Sequence, residues 1–257
     1  MRPLASVSPR TYVVDRRDDA ERLVAEEIVE LLGRNPGAVL GLATGNSPMG
    51  VYRELRAAHA AGRVSFARAR TFNLDEYLDL QPGDPRSFRV WTEEQLLGTV
   101  RPRASHAPGV GPGVDPDVAA ADYERDILQC GGLDLVLLGI GRNGHIAFNE
   151  PGSPRDSRTR VVDLHPTTRA DAAATFGSLE RVPRRAITMG IATILAARRI
   201  RVLAFGAGKA EVVRRTSCDQ IGPAWPATYL REHPDVRLYV DREAGSALSP
   251  TARANGA

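Results

Sequence analysis

Apolar residues along this chain fall into short uninterrupted runs and longer stretches with helical spacing, and the two kinds alternate from end to end. Runs over 11–15, 38–43, 69–74, 133–138, 200–205 and 236–240 read as strands. Leu23, Val24, Ile28, Leu31 and Leu32 mark one face of a helix over 18–32, which opens at Asp18-Asp19 and stops at Asn35-Pro36-Gly37. Further helices are predicted from Ser47-Pro48, with Val51, Tyr52 and Leu55 on one face, over 87–97, over 118–129, over 188–197, and from Lys209. The Pro- and Gly-rich connector 101–116 reads as an ordered surface loop, 152–183 as a less regular stretch, and 244–257 as a disordered tail. Strands separated by helices, with no repeat and no dividing linker, predict a single doubly wound α/β domain over 1–243. Its sheet should be mostly parallel, with helices on both faces.

Composition narrows the function without naming it. The 257 residues carry a net charge of +3, and the basic groups Arg16-Arg17, Arg184-Arg185 and Arg198-Arg199-Arg201 are scattered without interleaved aromatics. They read as solvated faces, so neither nucleic acid nor a membrane is implied as partner. Cys130 and Cys218 lie far apart without metal-ligand spacing around them, which fits a reducing cytoplasm and predicts no metal site. The stretch Met1-Arg2-Pro3-Leu4-Ala5-Ser6 has no apolar core of the kind a secretory signal needs. One imbalance does change the picture: of 34 basic residues, Lys209 alone is lysine.

Candidate chemistry gathers where strands end, the place at which open α/β sheets collect ligands. After the strand 133–138 comes Gly139-Ile140-Gly141-Arg142-Asn143-Gly144-His145-Ile146-Ala147-Phe148-Asn149-Glu150-Pro151, a glycine-rich turn holding a histidine and an acid five residues on. A lone histidine is more often structural, but this setting favours a functional one. After 38–43 comes Thr44-Gly45-Asn46-Ser47-Pro48, which reads equally as a phosphate cradle or as a serine-capped helix start. It has neither the spacing of a Walker loop nor that of a dinucleotide fingerprint. Asp75-Glu76 follows 69–74. Adjacent acids project differently, so at most one should face a ligand, and taken alone the pair reads as solvated surface. Lys209, in Phe205-Gly206-Ala207-Gly208-Lys209, follows 200–205, where a point charge suits a tight phosphate contact. The alternative is chance retention on a surface.

Taken in order, Ala43 to Pro48, Phe72-Asn73-Leu74-Asp75-Glu76-Tyr77, Gly144-His145-Ile146-Ala147-Phe148-Asn149-Glu150-Pro151, Ser157-Arg158-Thr159-Arg160 and Gly206 to Lys209 resemble the glucosamine-6-phosphate deaminase family over most of the chain. The specific element is His-Ile-Ala-Phe-Asn-Glu-Pro. The related 6-phosphogluconolactonases share the fold, which is Rossmann-like, and the Gly-His turn, but not the Phe-Asn-Glu-Pro continuation.

The resemblance implies conversion of glucosamine 6-phosphate and water to fructose 6-phosphate and ammonia, without a cofactor. It gives ring opening to His145 with Glu150, proton transfer between C2 and C1 to Asp75, and the substrate phosphate to Thr44, Gly45, Asn46, Ser47, Arg169 and Lys209. The partner is then a small amino-sugar phosphate, and a homo-oligomer is left open. Two departures stand out. Asn143 occupies a position where many members carry an aspartate that works with the histidine; asparagine can orient an imidazole but cannot balance its charge. Val162 lies two residues after Arg160, where activated members carry a basic side chain, so activation by N-acetylglucosamine 6-phosphate is not expected. Two alternatives stand beside the leading reading: the same site acting as deaminase on another amino-sugar phosphate, or as an aldose-ketose isomerase without loss of ammonia, and a catalytically silent sugar-phosphate sensor.

Overall fold

The computed structural model describes residues 9–109 and 113–249. In chain order its main elements are β1 (Arg10–Val14), α1 (Arg17–Arg34), β2 (Val39–Leu42), α2 (Met49–Ala60), β3 (Arg70–Asn73) and β4 (Asp75–Tyr77). Next come α3 (Phe88–Thr92), a π-helical turn Glu93–Leu97, α4 (Gly98–Val100), β5 (Ala104–His106), α5 (Pro116–Gln129) and β6 (Leu135–Gly139). The chain continues through β7 (Arg160–Asp163), α6 (Pro166–Phe176), β8 (Arg185–Thr188), α7 (Ile191–Leu195), β9 (Ile200–Ala204), α8 (Ala210–Cys218) and β10 (Val236–Asp241).

Seven strands form one parallel sheet in the order β1-β10-β9-β6-β2-β3-β5. Alternate residues of its strands feed two cores. Leu135 and Leu137 of β6 join α1 and α2 through Val24, Ile28, Val51 and Leu55, while Val136 and Leu138 join α5 and α8 through Tyr123, Ile127, Val212 and Val213. This period of two in strands buried on both faces explains their continuous apolar runs. The acids Asp18 and Asp19 in the first turn of α1 and Arg34 in its last turn complement the helix dipole. From β2 the sheet is extended one way by β3 and β5 and the other way by β6, β9, β10 and β1. The order therefore reverses between β2 and β6, and a crevice opens at their carboxyl ends.

A second sheet, antiparallel in the order β4-β8-β7, stands at that end of the molecule. The chain leaves the large sheet at Asn73 and enters the small one at Asp75, with only Leu74 between; Leu74 bonds Leu42 through its N–H (3.2 Å) and Met189 through its carbonyl (2.7 Å).

Four expectations need correction. The connector 101–116 contains β5, a three-residue edge strand paired only with β3, too short to show alternation. The stretch 152–183 is not irregular, since it holds β7 and α6. The latter buries only Thr168 and Phe176 and so lacks an apolar stripe, although His165, Pro166 and Gly177 mark its ends. The region 188–197 is the end of β8, a turn and the short α7 rather than one helix. The chain stays packed beyond 243, with Ala244 and Leu248 buried in the α5/α8-side core, so no disordered tail begins at Ala244. Residues 250–257 of that expected tail lie outside the described residues.

Candidate active site

The crevice at the strand-order reversal is a cleft of about 440 Å³. The turn leaving β6 supplies its histidine. Gly144, at φ +84°, turns the chain where only glycine fits: a Cβ there would lie 2.5 Å from the Trp225 ring. The His145 imidazole lies over Gly141, so close that a Cβ on that glycine would meet the ring at 2.1 Å. Hydrogen bonds fix the ring's orientation. Asn143 donates through Nδ2 to Glu150 Oε2 (2.8 Å), which turns its Oδ1 toward His145 Nδ1 (2.7 Å). An amide oxygen only accepts, so Nδ1 carries the proton and Nε2 is left with its lone pair. Glu150 Oε2 lies 3.4 Å and Thr168 Oγ1 3.3 Å from the same Nδ1. Burial pushes the Glu150 carboxyl up, but the hydrogen bond and charge of His145, with the hydrogen bonds of Thr168 and Asn143, outweigh it and hold the group below its usual range.

The rest of this segment is braced from behind. Asn149, fully buried, donates to the carbonyls of Ile146 (3.0 Å) and Met189 (2.8 Å), and Phe148 N–H donates to Thr188 Oγ1 (3.0 Å). Arg160 donates to Asn149 Oδ1 (2.9 Å) and Ser153 Oγ (3.1 Å), which makes it a strut for the loop. Ala147 adopts φ +50°, in the left-handed region that costs a non-glycine residue roughly 1 kcal/mol or more.

The paired acids divide their work as adjacent residues on a strand must. Asp75, 6% exposed, lines the cleft, and burial, followed by the charge of Glu76, raises its pKa well above the ordinary carboxylate value. Glu76 turns away and accepts N–H bonds from Tyr77 (2.9 Å), Phe88 (2.9 Å) and Arg89 (2.8 Å), fastening the start of α3. Burial still raises its pKa, against those three bonds.

Thr44, Gly45, Asn46 and Ser47 line the cleft in the loop from β2 to α2. The serine-cap alternative fails here, because the residue at the N-cap of α2 is Pro48, with no side-chain cap bond, and Ser47 faces the cleft. Arg17 of α1 braces this loop from outside: it bonds the Asn46 carbonyl, pairs with Glu21 (2.5 Å) and places its Cζ 5.0 Å from the Phe205 ring centre. Lys209 lines the cleft from a short 3₁₀ turn just before α8, and its Nζ donates to the Ile140 carbonyl (2.6 Å). Burial lowers its pKa, offset in part by the charge of Asp171.

One expected residue is elsewhere. Arg169 does not line the cleft; its Nη2 donates to the carbonyls of Leu179 (2.9 Å) and Val182 (3.2 Å). The cleft face of α6 carries Thr168, Asp171, Ala172, Thr175 and Phe176, a helical repeat that leaves Arg169 on the flank. Sequence reasoning in turn missed Arg86 and an aromatic wall of Tyr77, Phe88, Trp91, Phe148 and Phe176. Aromatics make up only 5% of the chain, and their recurrence beside the candidate turns was the available signal. Val162 packs on the small apolar cluster around Tyr77 and Phe148. Among the described residues no His, Cys, Asp and Glu cluster could hold a metal ion, and no helix is long and apolar enough to cross a membrane.

A model of the family described as glucosamine-6-phosphate isomerases/6-phosphogluconolactonase matches residues 15–239. A glucosamine-6-phosphate deaminase of Rhodopirellula baltica is 46% identical over 242 residues, covering 93% of this chain and 96% of its own. That of Beutenbergia cavernae is 48% identical over 242 residues, covering 92% and 91%. Among solved structures, one described as a monomeric glucosamine-6-phosphate deaminase superposes with a TM-score of 0.89 at 39% identity, over 92% of this chain and 99% of its own. The 6-phosphogluconolactonase of Trypanosoma brucei shares the fold, with a TM-score of 0.76 at 22% identity over 95% of this chain and all of its own.

Proposed function

The chain belongs to the glucosamine-6-phosphate isomerase/6-phosphogluconolactonase family, and from that premise we propose how its cleft works as a deaminase. The protein is an enzyme that converts glucosamine 6-phosphate and water to fructose 6-phosphate and ammonia. The observation that carries the mechanism is the meeting of Asp75 and His145 in one cleft.

His145, proton-bearing at Nδ1, presents Nε2 as a base and, once protonated there, as an acid. It moves the proton between the ring oxygen and the C1 hydroxyl as the sugar ring opens. Glu150, held ionised, balances the imidazolium that forms in that step through its 3.4 Å approach to Nδ1. In this reading Asn143 relays orientation and Glu150 supplies the charge that the asparagine lacks. Asp75 then removes the C2 proton, and with a proton taken up on the C1 oxygen an enolamine forms. The proton that Asp75 returns to C1 turns it into a C2 imine, water adds to that carbon, and ammonia leaves as the ketone forms. A carboxylate in poor solvent is a stronger base than one in water, which suits the abstraction of a carbon-bound proton. Thr44, Gly45, Asn46, Ser47 and Lys209 hold the phosphate, and this remote binding aligns C2 with Asp75. Arg169 has no part in it.

The partner in this reading is the amino-sugar phosphate, with neither nucleic acid nor membrane, and the compartment is the cytoplasm. The relative described as monomeric favours a single chain as the working unit over a homo-oligomer. The test is ammonia release from purified protein with the sugar product identified, followed by exchange of solvent deuterium at C2 and C1. Wild type should release ammonia with fructose 6-phosphate. Asp75→Asn should lose the exchange together with turnover. Exchange that survives the substitution assigns the base to another residue.

A further inference from the structure

The withdrawal of Arg169 leaves the cleft with Lys209 and Arg86 as its Lys and Arg lining residues. Arg86 comes from the loop between β4 and α3, far in sequence from Lys209, and its guanidinium is held on two sides. Nε donates to Asp84 Oδ1 (2.8 Å) and Nη2 to Asp84 Oδ2 (2.5 Å), while Asp84 Oδ1 also accepts the Arg86 backbone N–H (2.8 Å). Its Cζ stands 5.1 Å from the ring centre of Phe176, at the end of α6. The fork to Asp84 uses one edge of the planar group and leaves the N–H donors of Nη1 for a ligand.

The substrate of this site has two ends of opposite charge. The amino group on C2 must meet Asp75, and a guanidinium beside it would repel the ammonium form. A permanent cation in the same cleft is compatible with binding only at the phosphate end, where a planar fork matches phosphate oxygens better than an ammonium does. We propose that Arg86 is the guanidinium that grips the substrate phosphate together with Lys209, and that Asp84 and Phe176 aim it. The loop after β4 then joins the loops after β2 and β9 in the clamp, and Arg86 gives the enzyme its preference for phosphorylated over free amino sugar. The proposal rests on the deaminase reading for its substrate, but not for its anion.

The experiment compares wild type with Arg86→Gln, Arg86→Lys and Asp84→Asn in two assays: ammonia release from glucosamine 6-phosphate and from free glucosamine, and calorimetric binding of inorganic phosphate. Arg86→Gln should raise KM for glucosamine 6-phosphate by roughly tenfold to a hundredfold, well beyond its effect on kcat. It should shrink the preference for the phosphorylated sugar and weaken phosphate binding in parallel. Arg86→Lys should recover part of each loss, and Asp84→Asn should show a smaller version of the Gln phenotype. A merely structural role for Arg86 would leave the phosphorylated-to-free preference unmoved. Unchanged phosphate binding and unchanged preference in a folded Arg86→Gln or Arg86→Lys overturn the proposal. Wild type that binds phosphate through Arg86 but releases no ammonia would overturn the deaminase reading and leave Arg86 in its place.

Discussion

Asp75 and Glu150 are both carboxylates of one cleft, yet their surroundings drive them in opposite directions, and the consequence can be read as stability against pH. Burial favours the protonated form of Asp75. Its ionisation therefore costs the folded state nothing below the unfolded value of about 4, and the cost grows as pH rises toward the raised folded value. Asp75→Asn removes that cost. At neutral pH this variant should melt above wild type, by ~2–4 °C for each kcal/mol relieved in a chain of this size, and the gain should vanish in scans below about pH 4. A variant that melts lower at neutral pH would mean that the carboxylate is a net contributor to the fold. Glu150 has the other sign: its partners hold its pKa down, so the stability it lends is present above the unfolded carboxylate value and is lost as pH falls through the folded one. The base is thus a destabilising group that function retains, and the charge-balancing acid a stabilising one.

At the scale of elements, Glu76 fastens a helix as well as a strand. It is a β4 residue by pairing, opposite Ile187 of β8, and it satisfies the N–H groups of Phe88 and Arg89 at the start of α3. Glu76→Ala should cost about 1–3 kcal/mol, seen as a lower urea midpoint, because two helix-end donors lose their acceptor in a part-buried place. An unchanged midpoint would show that solvent replaces the carboxylate there. Nothing in Asp75-Glu76-Tyr77 announced this role. The large sheet was legible because its strands are buried on both faces and its helices α1, α2 and α5 carry apolar stripes. The small sheet was not, since β4 is two acids and a tyrosine whose strand conformation comes from β8, and α6 is alanine-rich with little buried surface. The site followed the same division. Asp75, His145, Glu150, the 44–47 loop and Lys209 sit at or beside strand ends, where the pattern pointed. Arg86 and Arg169 are decided by the direction of a loop and of a short helix, which depends on packing that spacing does not encode.

At the scale of the whole molecule, the two halves of the sheet grow away from β2 and β6, and the groups of the mechanism are delivered to that one reversal by four separate segments: the loop after β2, β4 itself, the turn after β6 and the turn after β9. Arg17 reaches from α1 to the loop on one side and to Phe205 on the other, so the first helix of the chain braces both phosphate-side loops. Delivery of one further group has a practical outcome. Lys209 is the sole lysine, which makes its Nζ the sole side-chain amine of the protein, and burial raises the share of it that is neutral and nucleophilic. An amine-directed reagent therefore has one internal target besides the α-amino group, and that target is in the working cleft. Reductive methylation should inactivate with a stoichiometry of one modified lysine per chain, and fructose 6-phosphate should shield it, both readable by intact-mass spectrometry alongside ammonia release. Modification at an undiminished rate under saturating product would place that amine away from the bound sugar. With shielding, the same reagent becomes a titrant of occupied sites, usable without an engineered tag.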